Sequence, residues 1–278
     1  MQPYLEQVCA KLKNLGGFVH ENVRYHVCLT LTQIAFGQLR FVLGRQDSDE
    51  KIEWASGLPV QVGLPDQVKQ FLDTIVIPHF KERVSEEQHK EVIEKVLECV
   101  RDLCDEMGPA SIVDHLEWII VFVEQLLDKT ATCQTRGADK SEGPAEEDDE
   151  QDSCDQDEED LDHDELILGN ATDLIISLSK CLGDSFVPYL ARLGPKLYKY
   201  LGDDHPKSDK IMVLGCLSET FNQCPAAIQA YFNDFMQVLL KHSTSDDGSL
   251  NRNVSYGLAI CADKAPVDMF TPHLSTTM

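Results

Sequence analysis

A chain of 278 residues with 48 Asp plus Glu against 24 Lys plus Arg carries a formal charge of −24. A field of that sign repels nucleic acid and anionic membrane surfaces and attracts basic partners at long range, so direct nucleic-acid binding is excluded. No apolar run reaches the roughly 18 residues a membrane helix needs, and the opening MQPYLEQVCAKL has no signal-peptide core, so a soluble intracellular protein without membrane insertion is expected.

Apolar residues recur at three- and four-residue spacing over most of the chain. Val68, Phe71, Leu72, Ile75 and Val76 form one stripe, and Val92, Val96, Cys99 and Leu103 another. Strand-like alternation is scarce, and Gly or Pro breakers arrive about every twenty residues. Ten helices are expected in chain order, at residues 4–15, 22–43, 66–84, 86–107, 111–129, 162–182, 185–201, 207–223, 226–241 and 250–264. The ten cysteines are scattered singly, with no CxxC pair and no histidine at zinc-ligand spacing. Cys99, Cys181, Cys216 and Cys261 fall inside apolar helical patterns, where a reduced thiol acts as a small hydrophobe.

Three segments resemble one another: SFVPYLARLGPKLYKYL, AIQAYFNDFMQVLLKH and DMFTPHLSTTM. Their alignment places Tyr189, Tyr231 and His273 at successive intervals of 42 residues. Phe71 and His115 fit the same register at an interval of 44, while His115 and Tyr189 stand 74 apart. The excess of 32 matches a segment near residues 130–161 inserted within one repeat. Two helices in about 40–47 residues is the HEAT-type unit, whose neighbours must stack to bury their apolar faces. The expected fold is an all-α HEAT-repeat superhelix, a solenoid, laid out as residues 1–132, an acidic disordered loop at 133–161, and residues 162–278.

The insertion carries EEDDEQDSCDQDEEDLDHDE, in which 14 of 20 residues are acids and none is Lys or Arg. Glu146, Glu147, Asp148, Asp149, Glu158, Glu159 and Asp160 are its densest part. It reads as a solvated loop, as an electrostatic lure for Lys/Arg-rich ligands, or as an internal competitor that helps release them. It lacks the glycine of an EF-hand loop, so no specific metal site is expected. A second acidic feature lies on EEQHKEVIEKVLECVRDLCDEM. Glu87, Glu91, Glu94, Glu98, Asp102 and Asp105 follow steps of four, three, four, four and three, which puts them on one helix face. That face is either ordinary solvated surface or a ladder for an extended basic segment. Trp118 is placed in the core and Trp54 against neighbouring helices. There is no P-loop, GxSxG or metal-ligand set, so neither catalysis nor a cofactor is expected.

Several stretches carry a family resemblance: LLDKTATCQ before the acidic run, GDSFVPYLARLGPKL after it, MVLGCLSET, RNVSYGLAICADKAP, and HVCLTLTQIAFGQL following ENVR. In order and spacing the chain resembles part of the C-terminal half of an importin-β superfamily transport receptor. The resemblance implies a receptor that shuttles between cytoplasm and nucleus. It would carry basic cargo with Lys/Arg-rich localisation signals, histones and ribosomal proteins among them, through contacts with nucleoporins. Ran would engage N-terminal repeats that this chain lacks. In such relatives the second helix of each repeat lines the cargo side, and FG-repeat pockets lie between adjacent first helices; none of those pockets is assigned from sequence. The resemblance also marks Glu219, Asn253 and Tyr256 as a pocket for a cargo lysine, supplying a carboxylate, an amide oxygen and an aromatic wall. The competing reading has Asn253 bridging helices and Tyr256 packing in the core. With Glu91, Glu94, Glu98 and Asp102 of the ladder, these are the candidate cargo-binding residues. The alternative function is a HEAT scaffold of the phosphatase-regulatory kind.

Overall fold

A computed structural model describes residues 2–45, 52–135 and 152–273, without the side chains of residues 2, 3, 6 and 152–162. Every regular element among the described residues is helical. In unit one, α1 (Gln2–Leu15) and α2 (Glu21–Val42) precede α3 (Asp66–Phe71). A π-turn, Leu72–Val76, carries α3 directly into α4 (Ile77–Glu86), and α5 (Lys90–Met107), α6 (Leu116–Leu127) and α7 (Thr132–Thr135) follow. α8 (Asp152–Leu182) is the longest helix. Beyond it come α9 (Val187–Lys199), α10 (Lys207–Gln223), α11 (Pro225–His242), α12 (Gly248–Lys264) and α13 (Val267–Phe270). The chain divides into two compact units, Met1–Ala55 with Val60–Ala171, and Ser56–Pro59 with Thr172–Met278, the boundary falling inside α8.

The helices form where the apolar spacing places them. α5 buries Val92, Ile93, Val96, Leu97, Cys99, Val100, Leu103, Cys104 and Met107 along one broad stripe. It stops at Gly108, whose φ of 67° suits glycine, and a Cβ there would lie 2.5 Å from the Trp54 side chain. The Trp54 indole N–H donates to the Glu106 carbonyl at 2.8 Å, so this ring closes the end of α5. Pro78 accounts for the π-turn: it has no N–H to give the preceding turn, and the ladder widens there. Asp247 caps α12 by accepting from the Ser249 and Leu250 amides at 2.9 and 3.0 Å.

Several boundaries differ from expectation. The helix expected over residues 86–107 starts only at Lys90, because Glu87 turns inward. That expected over 111–129 opens with two short 3-10 turns before Leu116. α8 begins at Asp152, not near residue 162, so Glu158, Glu159 and Asp160 stand on helix and not in the loop. Carboxylates concentrated toward a helix N-terminus favour the helix through its macrodipole, which offsets their mutual repulsion. Glu146, Glu147, Asp148 and Asp149 lie outside the described residues. Trp118 is half-buried, not core; it stacks on Phe122 with Lys81 above its ring. The nine cysteines with described side chains are free and buried, and burial pushes the thiols of Cys99, Cys216 and Cys261 up to about 12.

The repeat register is written in the hydrogen bonds. His115 meets Asp73 at 2.9 Å, the Ala226 amide donates to Asp184 at 3.0 Å, and Asn253 donates to the Ile211 carbonyl at 2.7 Å. Each pair is separated by 42 residues, so equivalent points of successive helix pairs touch. Second helices lie side by side as α2 against α5 and α10 against α12. α12 approaches both α10 and α11 so closely that a Cβ at Gly257 would come within 3.0 Å of Ser218 on α10 and 2.7 Å of Leu239 on α11.

One buried polar network ties the first two repeats. The Arg24 guanidinium donates to both Glu87 carboxylate oxygens, at 2.6 and 2.8 Å, and to the carbonyls of Phe18 and Val19, each at 2.7 Å. Glu87 also accepts from the Gln88 and His89 amides at 3.1 Å. Burial alone would raise the Glu87 carboxyl, but Arg24 and these amides outweigh it and hold it below the ordinary range. Removing one partner of such a pair leaves the other charged and unpaired. We therefore expect Arg24→Ala to cost about 3–5 kcal/mol in urea unfolding, and the joint change Arg24→Met with Glu87→Leu to cost much less. Because the folded value is depressed, the Glu87 contribution is complete above the ordinary glutamate range and disappears as pH falls through the folded value. Acid titration of Arg24→Ala should accordingly show a shallower loss of stability than the unsubstituted chain.

Candidate functional site

The acidic face of α5 survives in the structure with one member removed. Glu87, 4% exposed, belongs to the buried Arg24 network and does not extend the ladder. Glu91, Glu94, Glu98 and Asp102 remain on the side of α5 away from its apolar stripe, all partly accessible. Their surroundings differ. Glu98 is paired with Lys95, whose ammonium also sits 4.7 Å from the Tyr25 ring centroid on α2. Burial pulls the Lys95 ammonium down, but the bond to Glu98 outweighs it and its value is raised. Asp102 has Arg101 at 3.3 Å, yet burial still raises its carboxyl. Glu94 is raised by burial too, although His163 faces it at 3.1 Å. Both raised groups are carboxylates that burial penalises more than their present cations relieve, which is the electrostatic setting that favours a further cation.

Between α2 and α5 this face opens into a groove of about 470 Å³ lined by Gln33, Phe36, Gly37, Arg40, Asp102, Asp105 and Glu106. Residue spacing put Asp102 and Asp105 on one helix face but gave no sign of the groove or of Gln33, Phe36, Gly37, Arg40 and Glu106 in its walls. The available signal was the repeat register, which makes α2 and α5 adjacent second helices. Such a groove offers carboxylates for an ammonium or guanidinium, and Phe36 adds an apolar wall for its stem.

In the second unit the three residues marked by resemblance separate into two groups. The Tyr256 hydroxyl donates to Glu219 at 2.7 Å and accepts from the Asn222 amide at 3.5 Å. Burial and the neighbouring carboxylate push the tyrosine up to about 12, so it stays a donor at neutral pH. Asn253 instead spends its amide hydrogen on Ile211 and bridges α12 to α10. The packing reading therefore describes Asn253, and the half-exposed Tyr256 and Glu219 form a pair without it. A separate groove of about 600 Å³ lies between α9 and α11, two first helices, lined by Pro195, Tyr198, Tyr231, Asp234, Gln237, Val238 and Lys241. No cluster among the described residues is arranged to hold a metal ion.

Comparison with known proteins bears on this arrangement. Residues 92–203, which include all of α5 after Glu91 and the acidic run, match the family model described as Importin repeat 6. The probable importin subunit beta-4 of Schizosaccharomyces pombe is 24% identical over 276 residues, 98% of this chain. Over nearly its whole length the chain is thus similar to an importin. Human importin-4 is 25% identical over 191 residues, 68% of the chain. The chain spans 24% and 16% of the lengths of these two relatives. In fold it is similar to the karyopherin Kap121p in complex with the SUMO protease Ulp1p, with TM-score 0.65 and 15% identity over 98% of this chain and 23% of that one.

The division of roles in the second unit can be measured. Asn253→Ala should lower stability by about 1 kcal/mol, the usual worth of one such hydrogen bond, read as a shift in the urea midpoint. Tyr256→Phe removes only a half-exposed hydroxyl and should shift it less.

Proposed function

We propose that this chain forms part of the cargo-binding region of a nuclear import receptor and that its ligand is an extended Lys/Arg-rich segment of a basic protein. Histones and ribosomal proteins are the cargo kinds the resemblance implies. The observation that carries the reading is the α2–α5 groove: the side formed by second helices presents Asp102, Asp105 and Glu106, with Arg40 opposite, around a trough that Phe36 makes partly apolar, and Glu98 follows a turn along α5. Glu91 and Glu94 extend the same face, and Glu219 with Tyr256 offers a second acidic and aromatic pair. That Kap121p has been seen with a bound protein supports a protein ligand on this fold.

The remainder of the reading follows from the resemblance to importins. The receptor shuttles between cytoplasm and nucleus and meets nucleoporins on the way. The α9–α11 groove, with Pro195, Tyr198, Tyr231 and Val238 on its walls, lies between adjacent first helices and suits an apolar nucleoporin side chain. Ran is assigned to no residue of this chain. The acidic run, Glu146 to Asp160, raises the encounter rate with basic cargo through its field, without defining geometry.

Charge contacts spread along a peptide weaken as salt rises, since screening acts on each of them. A Lys-rich peptide should therefore bind better than an uncharged control at low salt and lose that advantage at high salt, in pull-down or fluorescence anisotropy. A scaffold of the phosphatase-regulatory kind would show no such preference. Glu98→Lys with Asp102→Lys should weaken the Lys-rich peptide by about tenfold or more, because like charges would then face the ligand. Unchanged affinity would remove the α5 face from the binding site.

A further inference from the structure

The root of the acidic helix lies across the ladder that the proposed cargo would occupy. His163, on α8, places Nδ1 3.1 Å from Glu94 and Nε2 3.3 Å from Glu91. One residue on, Asp164 is met by Lys90 at 3.0 Å and by Lys129 at 3.6 Å. The contact brings together two elements of the same sign, since α8 enters it directly from the acidic run and α5 supplies Glu91, Glu94 and Glu98. The side chains that join them are His163, Lys90 and Lys129. Imidazole is the side-chain type whose charge ordinarily changes between pH 5 and 8.

The geometry of the ring decides what that change does. A neutral imidazole has one N–H and one lone pair, so it can donate to one of the two carboxylates while its bare nitrogen faces the other. The imidazolium donates to both and cancels one of their two charges. The bridged arrangement is thus complete only when the ring is protonated. The groups facing it are Glu91, Glu94 and Lys90 from α5, with Glu98 a turn further along, Asp164 from α8, and Lys129 from the turn after α6. Burial raises the Glu94 carboxyl above its ordinary value.

We propose that His163 is a proton-operated latch that fastens the start of α8 over Glu91 and Glu94, and that a basic ligand must displace it to use this end of the ladder. The proposal rests on the cargo reading above for its ligand, but the latch itself is a contact within the chain. Protonation closes it and withdraws two carboxylates from the ligand, so lower pH opposes binding. Deprotonation loosens it and returns their charge. By linkage, ligand bound at Glu91 and Glu94 disfavours protonation of His163.

The test uses the whole chain and two readouts. Fluorescence anisotropy with a labelled oligolysine peptide and an uncharged Gly/Ser control, at fixed ionic strength, compares affinity at about pH 8 and about pH 6. Amide exchange over residues 152–165, corrected for the intrinsic pH effect, follows the latch directly. The unsubstituted chain should lose roughly two- to fivefold in oligolysine affinity at the lower pH, the scale of one partly exposed ion pair, with slower corrected exchange. His163→Ala should be flat in both readouts and should bind more tightly than the unsubstituted chain at the lower pH. His163→Arg, a permanent cation, should be weak and protected at both pH values. The same pH response in His163→Ala as in the unsubstituted chain overturns the latch. Exchange that follows pH while binding does not overturns its control of the ligand. If oligolysine binds no better than the control in any variant, the cargo reading fails, and exchange alone judges the latch: dependence on His163 upholds it and independence overturns it.

Discussion

Helix pairs of this length cannot bury an apolar face by themselves, and everything else in the molecule follows from how neighbouring pairs solve that problem. The solution is a lateral register of 42 residues. It is visible in Asp73 against His115, Asp184 against Ala226 and Ile211 against Asn253, three polar contacts in three different parts of the repeat. The Arg24–Glu87 pair is the costliest of the links between neighbours, since two charges leave water together and survive only because every oxygen of Glu87 is met by a guanidinium or an amide. Fixing the register in this way holds α2 beside α5 and α10 beside α12 whatever their exposed faces carry.

That independence is what lets the exposed face of α5 be acidic. The stabilising stripe of α5 lies among Val92, Val96, Val100 and Leu103, all fully buried, and contributes far more than like-charge pairs on the other side remove. Each such pair costs a few tenths of a kcal/mol, while each large apolar side chain gains about 1.5–3 kcal/mol on burial. Charge on that face is therefore cheap to maintain and available for a ligand. The same reasoning explains why its cations are few and local. Lys95, Arg101 and His163 each relieve one part of the ladder and leave Asp102 and Glu94 raised.

Periodicity made the core legible in the sequence. Val68, Phe71, Leu72 and Val76 are buried as their spacing requires, and the 42-residue interval between Tyr189 and Tyr231 foretold the stacking contacts. The fate of individual polar residues was not legible, because spacing gives a direction from the helix axis and not a partner. Glu87 shares the face of Glu91 by arithmetic, but the helix has not started there, and an arginine 63 residues earlier draws it inward. Asn253 sits one turn from Tyr256, yet its amide finds a carbonyl of the preceding repeat. Trp118 looked like core from the apolar letters around it; α6 is apolar on more than its buried face, and the ring settles on Phe122 at the surface.

The acidic run shows the same limit from the other side. Composition alone describes fourteen carboxylates as a solvated segment, and it has no means of locating the one histidine among them that matters. His163 acquires its role because α8 begins at Asp152 and brings the end of the run against α5, where two glutamates a helical turn apart match the two nitrogens of one ring. A residue surrounded by acids in the sequence thus becomes a bridge between acids in space. The acidic face of α5 and the charged insertion are then one electrostatic system, because the carboxylates proposed for a lysine of the ligand are those that already meet the imidazole.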